Sequence, residues 1–489
     1  MMITSTDALQ SIQEDLRQRR FMGAEAKCAA CLQRDRTSPQ VWLHLGEAYL
    51  RQGFGAAADL ALRRAWLLDP EAKWPDALFA AVRQAPKGKM PTELKDLLKV
   101  ASVRVAAAIL VKDEARTIIR CLDSIRDSVD EIVVIDTGST DGTLELVQGY
   151  ADSRLKLIQH EWRDDFAEAR NAGLVNVESD WVLWLDADEY LHAEDIAAVR
   201  EVAGLFTGMG QAVIVRPVVI NWLEGNQTFI SYDTSRMFPT GQGLRFWGRI
   251  HEQIGGDRED ERFLRPAVRI RLYHDGYLPE VVGRKNKPSR NLRMLTKQLE
   301  DTPDDPSTWL FYARETLLSG DVSLGIERLN HALEVANRHP EFARTAEVLT
   351  WLIQAHLKQS QFAQAEAACE ALLARELDFP DTWYYKAYLR ALRIQGEIQA
   401  LDQDLKRMDA AYAAYRGIVS PDSQIKEWKG ALLKADLARF AGNLTYAQAQ
   451  YLAVLERHPE FGGVKKQLEL IEQQRQQLRT IRLTDEKKG

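Results

Sequence analysis

Between about residues 101 and 280 the chain switches repeatedly between short runs rich in Val, Ile and Leu and stretches of helical spacing. VRVAAAILV is followed by ARTIIRCLDSI, EIVVIDT by GTLELVQGYA and LKLIQH by FAEARNAGLVNV, and then comes WVLWLDADE. Nearly unbroken apolar runs suit strands buried on both faces, and strands that alternate with helices pair in parallel, because parallel neighbours need a crossover. The pattern predicts an α/β domain with a mostly parallel, Rossmann-like sheet covered by helices. In such sheets ligands bind beyond the carboxyl ends of the strands. The polar punctuation falls there: KDE at 112–114, DTGSTDGT at 136–143 and DADE at 186–189.

The last of these clusters is the most demanding. If Trp181 to Leu185 form a central strand, Asp186 and Asp188 lie at its tip, beside the tips that carry Asp136 and Asp113. Carboxylates brought that close repel unless they are hydrated or share a cation. Mg²⁺ or Mn²⁺ suits the place, because it takes one or two carboxylates and completes its shell with water and phosphate oxygens.

The two ends of the chain read as helices. VWLHLGEAYLRQGFGAAADLALRRAWLLDP, residues 41–70, sets Trp42, Leu45, Gly46 and Tyr49 before Ala58, Ala65 and Pro70, and so resembles a tetratricopeptide repeat; residues 7–35 resemble a capping copy. Weaker copies follow after about residue 290: one with Trp309, Gly320 and Ala332, others near 345–375 and 380–415, and one with Ala447 and Pro459. The predicted organisation is an N-terminal helical domain over 1–100, the α/β domain over 101–285 and a C-terminal helical solenoid over 286–489. Stacked repeats offer concave surfaces for proteins or peptides, or for a second copy of the chain. Cys28 and Cys31 form a C-x-x-C within Ala-rich helical sequence with no second pair, and are expected to be packing residues rather than a metal or redox site.

Composition removes several classes. The 489 residues are 45% hydrophobic and 28% charged, with a net charge of −7. There is no basic excess to hold nucleic acid. The longest apolar runs fall far short of the ~20 residues a membrane helix needs, and the N-terminus has no apolar signal core. Four cysteines suit a reducing compartment, so a cytoplasmic protein is expected.

Taken together, ILVKDEARTIIRCLDSI, EIVVIDTGSTDGTLEL, DDFAEARNAGL and WVLWLDADEYL resemble, in order and spacing, the GT-A fold glycosyltransferases of family 2. That resemblance implies an enzyme moving a hexosyl or N-acetylhexosaminyl group from a nucleotide sugar, a UDP-sugar being favoured. It implies that Asp136, with Thr137, Gly138, Ser139 and Asp141, takes the nucleotide, and that Asp113 and Glu114 border the same pocket. Asp188, with Asp186 nearby, would hold the metal and the ribose-diphosphate, and Arg170 and Asn171 would be donor-pocket residues. One departure is VKDE where the family usually reads Val-Lys-Asn-Glu, so Asp113 adds a negative charge beside the nucleotide.

Downstream, Glu252 is the proposed base that takes the acceptor's proton opposite the nucleotide. His274 is read as a metal ligand or diphosphate partner, and Lys287 and Arg290 as cations for the leaving phosphates. A zinc-protease signature is excluded, because H-E-x-x-H would need His where Gly255 stands. Catalytic units of this kind joined to tetratricopeptide repeats resemble peptide S-glycosyltransferases of the sublancin type and bacterial flagellin O-glycosyltransferases, which implies a protein or peptide acceptor, with Ser or Thr favoured over Cys. Two other readings stay open: transfer to lipopolysaccharide core or another envelope glycan, and a repeat scaffold without activity.

Overall fold

The computed structural model describes residues 6–223, 225, 227–256, 263–275, 287–376, 378–414 and 421–485. The chain divides into two compact units, residues 1–321 and 322–489.

The first unit begins with six helices: α1 (Thr6–Arg17), α2 (Phe21–Arg34), α3 (Pro39–Arg51), α4 (Gly55–Leu68), α5 (Pro75–Gln84) and α6 (Thr92–Leu98). Helices α3 and α4 interlock where the repeat-like spacing predicts, with Trp42, Leu45, Tyr49, Ala58, Ala61 and Ala65 buried. Gly46 makes the close approach feasible, since a Cβ there would lie 2.6 Å from Leu62 Cγ. Cys28 is buried in α2, its thiol pKa pushed up chiefly by burial, and Cys31 is half-buried; both thiols are free. This is the packing role expected of them. Arg64 of α4 fastens the helices to the domain that follows, donating to Glu201 at 2.7 Å and to the Leu98 carbonyl at 3.0 Å.

The central sheet is built from β1 (Val105–Val111), β2 (Glu131–Asp136), β3 (Leu155–Gln159), β4 (Trp181–Asp186) and a later edge strand, β8 (Met237–Pro239), in the order β3-β2-β1-β4-β8. The first four are parallel and β8 is antiparallel to β4. All four predicted strands form, and burial on both faces of β1, β2 and β4 accounts for their unbroken apolar runs, while β3 is a half-buried edge strand. Register decides what meets at the top: Val111 pairs with Asp136 and Leu110 with Asp186, so the acidic tips of β2 and β4 flank the end of β1.

The crossovers are α7 (Ile118–Ile125), α8 (Thr143–Gln148) and α9 (Phe166–Leu174), and α10 (Ile196–Phe206) follows β4. Asp165 starts α9 by accepting from Glu168 N at 2.8 Å. Gly173 lets α9 lie flat on the sheet, since a Cβ there would meet Ile135 at 2.5 Å.

A second sheet, in the order β5-β11-β6-β7, comprises β5 (Glu189–Leu191), β6 (Arg216–Trp222), β7 (Thr228–Ser231) and β11 (Ala267–His274). A short hairpin joins β9 (Arg245–Trp247) to β10 (Gln253–Gly255). The unit ends with α11 (Lys287–Asp301) and α12 (Pro306–Leu318), the latter capped by Asp305, which accepts from Ser307 N and Thr308 N, with Pro306 in its first turn.

The second unit contains α13 (Val322–Arg338), α14 (Thr345–Lys358), α15 (Phe362–Leu373), α16 (Pro380–Ala414), α17 (Gly430–Phe440), α18 (Leu444–Arg457) and α19 (Gly462–Asp485). Where the sequence suggested a repeat of paired helices over about 380–415, residues 380–414 form one helix of 35 residues. Gly396 is the one glycine in that span and no proline follows Pro380, so nothing breaks a run dominated by strong helix formers.

Candidate active site

A cavity of about 930 Å³ opens above the carboxyl ends of β1 and β4. On one side it is lined by Asp113, Glu114, Thr137 and Asp141, from the loops after β1 and β2. Side chains sew these loops together. Ser139 Oγ accepts from Asp113 N (2.9 Å), Thr143 Oγ1 from Glu114 N (2.8 Å) and Asp141 Oδ2 from Ala115 N (3.0 Å), while Asp113 Oδ1 accepts from Thr140 N (2.7 Å). Asp113 adopts a left-handed backbone, φ +54°. Burial alone would raise the pKa of Asp141, but its hydrogen bonds from Thr143 and Ala115 hold it below the usual carboxylate value.

Asp136 sits beneath this surface. It is buried, and it accepts from Gly138 N at 3.1 Å and from Ser139 N at 3.2 Å, so its carboxylate shapes its own turn. Neither Asp136, Gly138 nor Ser139 lines the cavity.

At the tip of β4 the acidic cluster is threaded by arginines. Arg170, buried in α9, donates from Nη2 to Asp186 (2.8 Å) and from Nε to Glu252 (2.7 Å). Arg236, which enters from the start of β8, donates from Nη2 to Asp186 (2.7 Å) and to the buried Glu189 (2.8 Å). Burial pushes the Asp186 carboxyl upward, but the two guanidinium groups outweigh it and hold its pKa far below the normal range. Glu189 moves the other way. Its burial is greater than Arg236 can offset, and its pKa is raised. Both carboxylates of this part of the cluster are thus neutralised from within the protein.

Asp188 and His274 form a different pair. His274 Nε2 lies 3.7 Å from Asp188 Oδ1, and its Nδ1 is 2.8 Å from Asn221 Oδ1, which as an acceptor fixes the Nδ1 proton and turns Nε2 toward Asp188. Burial works to lower the His274 pKa, but the nearby Asp188 carboxylate, with the charges of Glu189 and Asp186, raises it. One carboxylate and one imidazole facing each other in the cavity wall fit a hard divalent ion that draws its other ligands from water and phosphate. Among the described residues no set of three or more His, Cys, Asp or Glu side chains is grouped for metal binding. Asp186 is the neighbouring carboxylate, and both its oxygens are already engaged by arginine.

The far wall is made by Trp162, Phe166, Ile250, His251, Glu252, Arg290, Asn291 and Arg293. The Arg290 guanidinium lies 5.3 Å over the Phe166 ring, with burial lowering its pKa. Asn171 faces elsewhere: its amide exchanges two 2.9 Å hydrogen bonds with the Phe246 backbone and anchors β9. Lys287 opens α11, and its side chain lies outside the described residues. The sequence offered no sign of Arg236, Asn221 or Trp162. Arg236 stands in SYDTSRMFP, which belongs to no recognisable motif, and only the pairing of β8 with β4 brings it to Asp186.

Residues 107–247 match the family described as Glycosyl transferase family 2. The central domain is a family 2 glycosyltransferase domain of GT-A type, and the enzyme is a glycosyltransferase. The chain is 24% identical over 339 residues to the SPbeta prophage-derived glycosyltransferase SunS of Bacillus subtilis, covering 66% of this chain and 78% of that one. It is 27% identical over 287 residues to a TPR repeat-containing protein of Synechococcus elongatus, covering 58% and 68%. Among solved structures, S. aureus TarS 1–349 in complex with UDP-GlcNAc aligns with 54% of this chain and 89% of its own at 13% identity and a TM-score of 0.32.

Proposed function

We propose that this glycosyltransferase is divalent-metal dependent and inverting, that it uses a nucleotide sugar, with UDP-sugars favoured, and that its acceptor is a Ser or Thr hydroxyl of a protein or peptide. The observation that carries this reading is the Asp188–His274 pair, facing at 3.7 Å in a cavity whose opposite lip is made by Asp113, Glu114, Thr137 and Asp141. Asp188 and His274 would hold Mg²⁺ or Mn²⁺, which when bound supplies positive charge to offset that developing on a leaving diphosphate.

The protein's own residues divide the remaining work. Arg290 adds a cation to the lining of the same cavity. Glu252 takes the proton of the attacking hydroxyl, whose own acidity is too low at neutral pH. Its carboxylate is oriented by the 2.7 Å bond from Arg170 Nε. Asp186 and Arg236 hold Arg170 in place from the other side, so the base rests on a buried ionic chain rather than on a mobile loop. The protein or peptide acceptor is supported by the helical arrays at both ends of the chain and by the kinship with a TPR repeat-containing protein.

The test is mass spectrometry of candidate acceptor proteins incubated with the enzyme, Mn²⁺ and UDP-glucose or UDP-N-acetylglucosamine. A hexose or N-acetylhexosamine increment on Ser or Thr, absent with Asp188→Ala, is expected. Label found only in extracted glycolipid, or the same increment with Asp188→Ala, refutes the acceptor or the metal assignment respectively.

A further inference from the structure

Five non-glycine residues adopt a left-handed backbone among those described, and two of them, Asp113 and His251, line the cavity just described. Such conformations cost free energy and persist where the surroundings enforce them. His251, φ +53°, immediately precedes Glu252, and what enforces it comes from α12. His251 Nε2 lies 3.3 Å from Glu315 Oε1 and 3.2 Å from Arg314 Nη2, and the ring packs on Phe311 with centroids 4.4 Å apart. Glu315 is buried, and its other oxygen accepts from Asn291 Nδ2 at 3.1 Å. Asn291 Oδ1 in turn accepts from Arg290 at 3.2 Å. Burial by itself would raise the Glu315 pKa, but its hydrogen bonds from His251 and Asn291 bring it below the ordinary value.

We infer that Glu315 is a positioning residue for catalysis: acting through His251, it fixes the turn that presents Glu252, and acting through Asn291 it sets Arg290. This rests on the reading of Glu252 as the base. Its consequence is that α11 and α12 are working parts of the catalytic unit, although their sequence resembles the start of the C-terminal repeats. Arg170 grips the Glu252 side chain from one side and Glu315 grips the preceding residue from the other. With both in place the carboxylate is held at two points, the arrangement that precise proton abstraction requires.

The test uses the full chain and three substitutions, Glu315→Met, Glu315→Gln and His251→Asn, the last because Asn tolerates the left-handed conformation. UDP release from UDP-glucose or UDP-N-acetylglucosamine in Mn²⁺ measures turnover. Glu315→Met is expected to lower kcat tenfold or more with donor KM changed less than threefold, and Glu315→Gln, whose amide keeps a polar group beside His251 and Asn291, to regain most of the loss. His251→Asn with Glu315→Met together should be no slower than the slower single variant, because both cut the same link. A crystal structure of Glu315→Met should show the Glu252–Arg170 separation lengthened beyond hydrogen-bond range, a readout that needs no activity. Wild-type kcat in Glu315→Met, multiplying effects in the double variant, equal loss in Gln and Met, or an unchanged Glu252–Arg170 bond would each overturn the inference. Absence of UDP release by the wild type from either donor would instead count against the proposed donor, leaving the crystal comparison to decide the role of Glu315.

Discussion

Replacing Arg170 by Met probes the chain of charges that holds Glu252, the proposed base. The guanidinium is 4% exposed and serves Glu252 at 2.7 Å and Asp186 at 2.8 Å. Breaking a buried ion pair from one side costs about 3–5 kcal/mol, because the partner is left charged without compensation. Here Asp186 keeps Arg236 at 2.7 Å, so the uncompensated group is Glu252, which lines the cavity and can recruit water. That places the cost near the lower bound, about 3 kcal/mol. Met still packs against Trp184 and Phe246, whose rings lie 5.2 and 5.4 Å from the guanidinium carbon, so little is lost to cavity formation. In a unit of this size the loss corresponds to a fall of roughly 6 °C in melting temperature. Scanning calorimetry of the full chain reads it as a shift of the transition belonging to the first unit. The double variant Arg170→Met with Glu252→Gln should recover about 1 kcal/mol or more of that loss, since the amide needs no counter-charge. A shift of less than about 2 °C for Arg170→Met, or strict additivity in the double variant, would show that the ionic chain does not behave as described.

Three further outcomes are expected. Asp188→Ala and His274→Ala should each abolish the Mn²⁺-dependent part of thermal stabilisation by a UDP-sugar, which for the wild type at a hundredfold excess over Kd amounts to about 2.7 kcal/mol; equal stabilisation with and without Mn²⁺ in the wild type would contradict the metal role. Gly46→Val should destabilise the α3–α4 pair by about 1–3 kcal/mol through overpacking against Leu62, visible as loss of helical circular dichroism at a lower temperature. Asp152, hydrogen-bonded by Arg154 and with its pKa lowered to about 2, gives stability that is full above the unfolded carboxylate pKa and lost as pH falls through about 2. Asp152→Asn should therefore cost about 1 kcal/mol or less at pH 7, after allowance for the solvent-exposed Arg154, with the difference closing between pH 4 and pH 2 in urea titrations.

The parallel sheet was legible because burial on both faces leaves an unbroken apolar signature, and the acidic tips were legible because strand ends are where such sheets expose polar groups. Trp42, Gly46 and Ala58 announced the first helical pair for a similar reason, since interlocking demands large residues against small ones. What stayed hidden depends on partners far apart in sequence. Asp186 reads as a metal ligand until Arg236, fifty residues later, arrives on an antiparallel edge strand to share it with Arg170. Glu189 reads as one more acid in a solvated knot, yet it points inward and accepts from Asp186 N at 2.8 Å. Asp136 reads as a ligand for the nucleotide, and the sequence did not show that its carboxylate also accepts from the two amides that follow Thr137. Glu315 lies in a helix whose spacing suggests a repeat, and nothing local tells it from any other helical glutamate. The continuous helix over 380–414 shows the reverse case, in which a vague periodic resemblance outweighed the plain absence of a chain breaker.

The loops after β1 and β2 are joined by four cross-links from Ser139, Thr143, Asp141 and Asp113. Mechanically they are one jaw rather than two fingers. Editing either loop alone will therefore disturb its neighbour, and any redesign of this side of the cavity will have to exchange the two segments as a matched set.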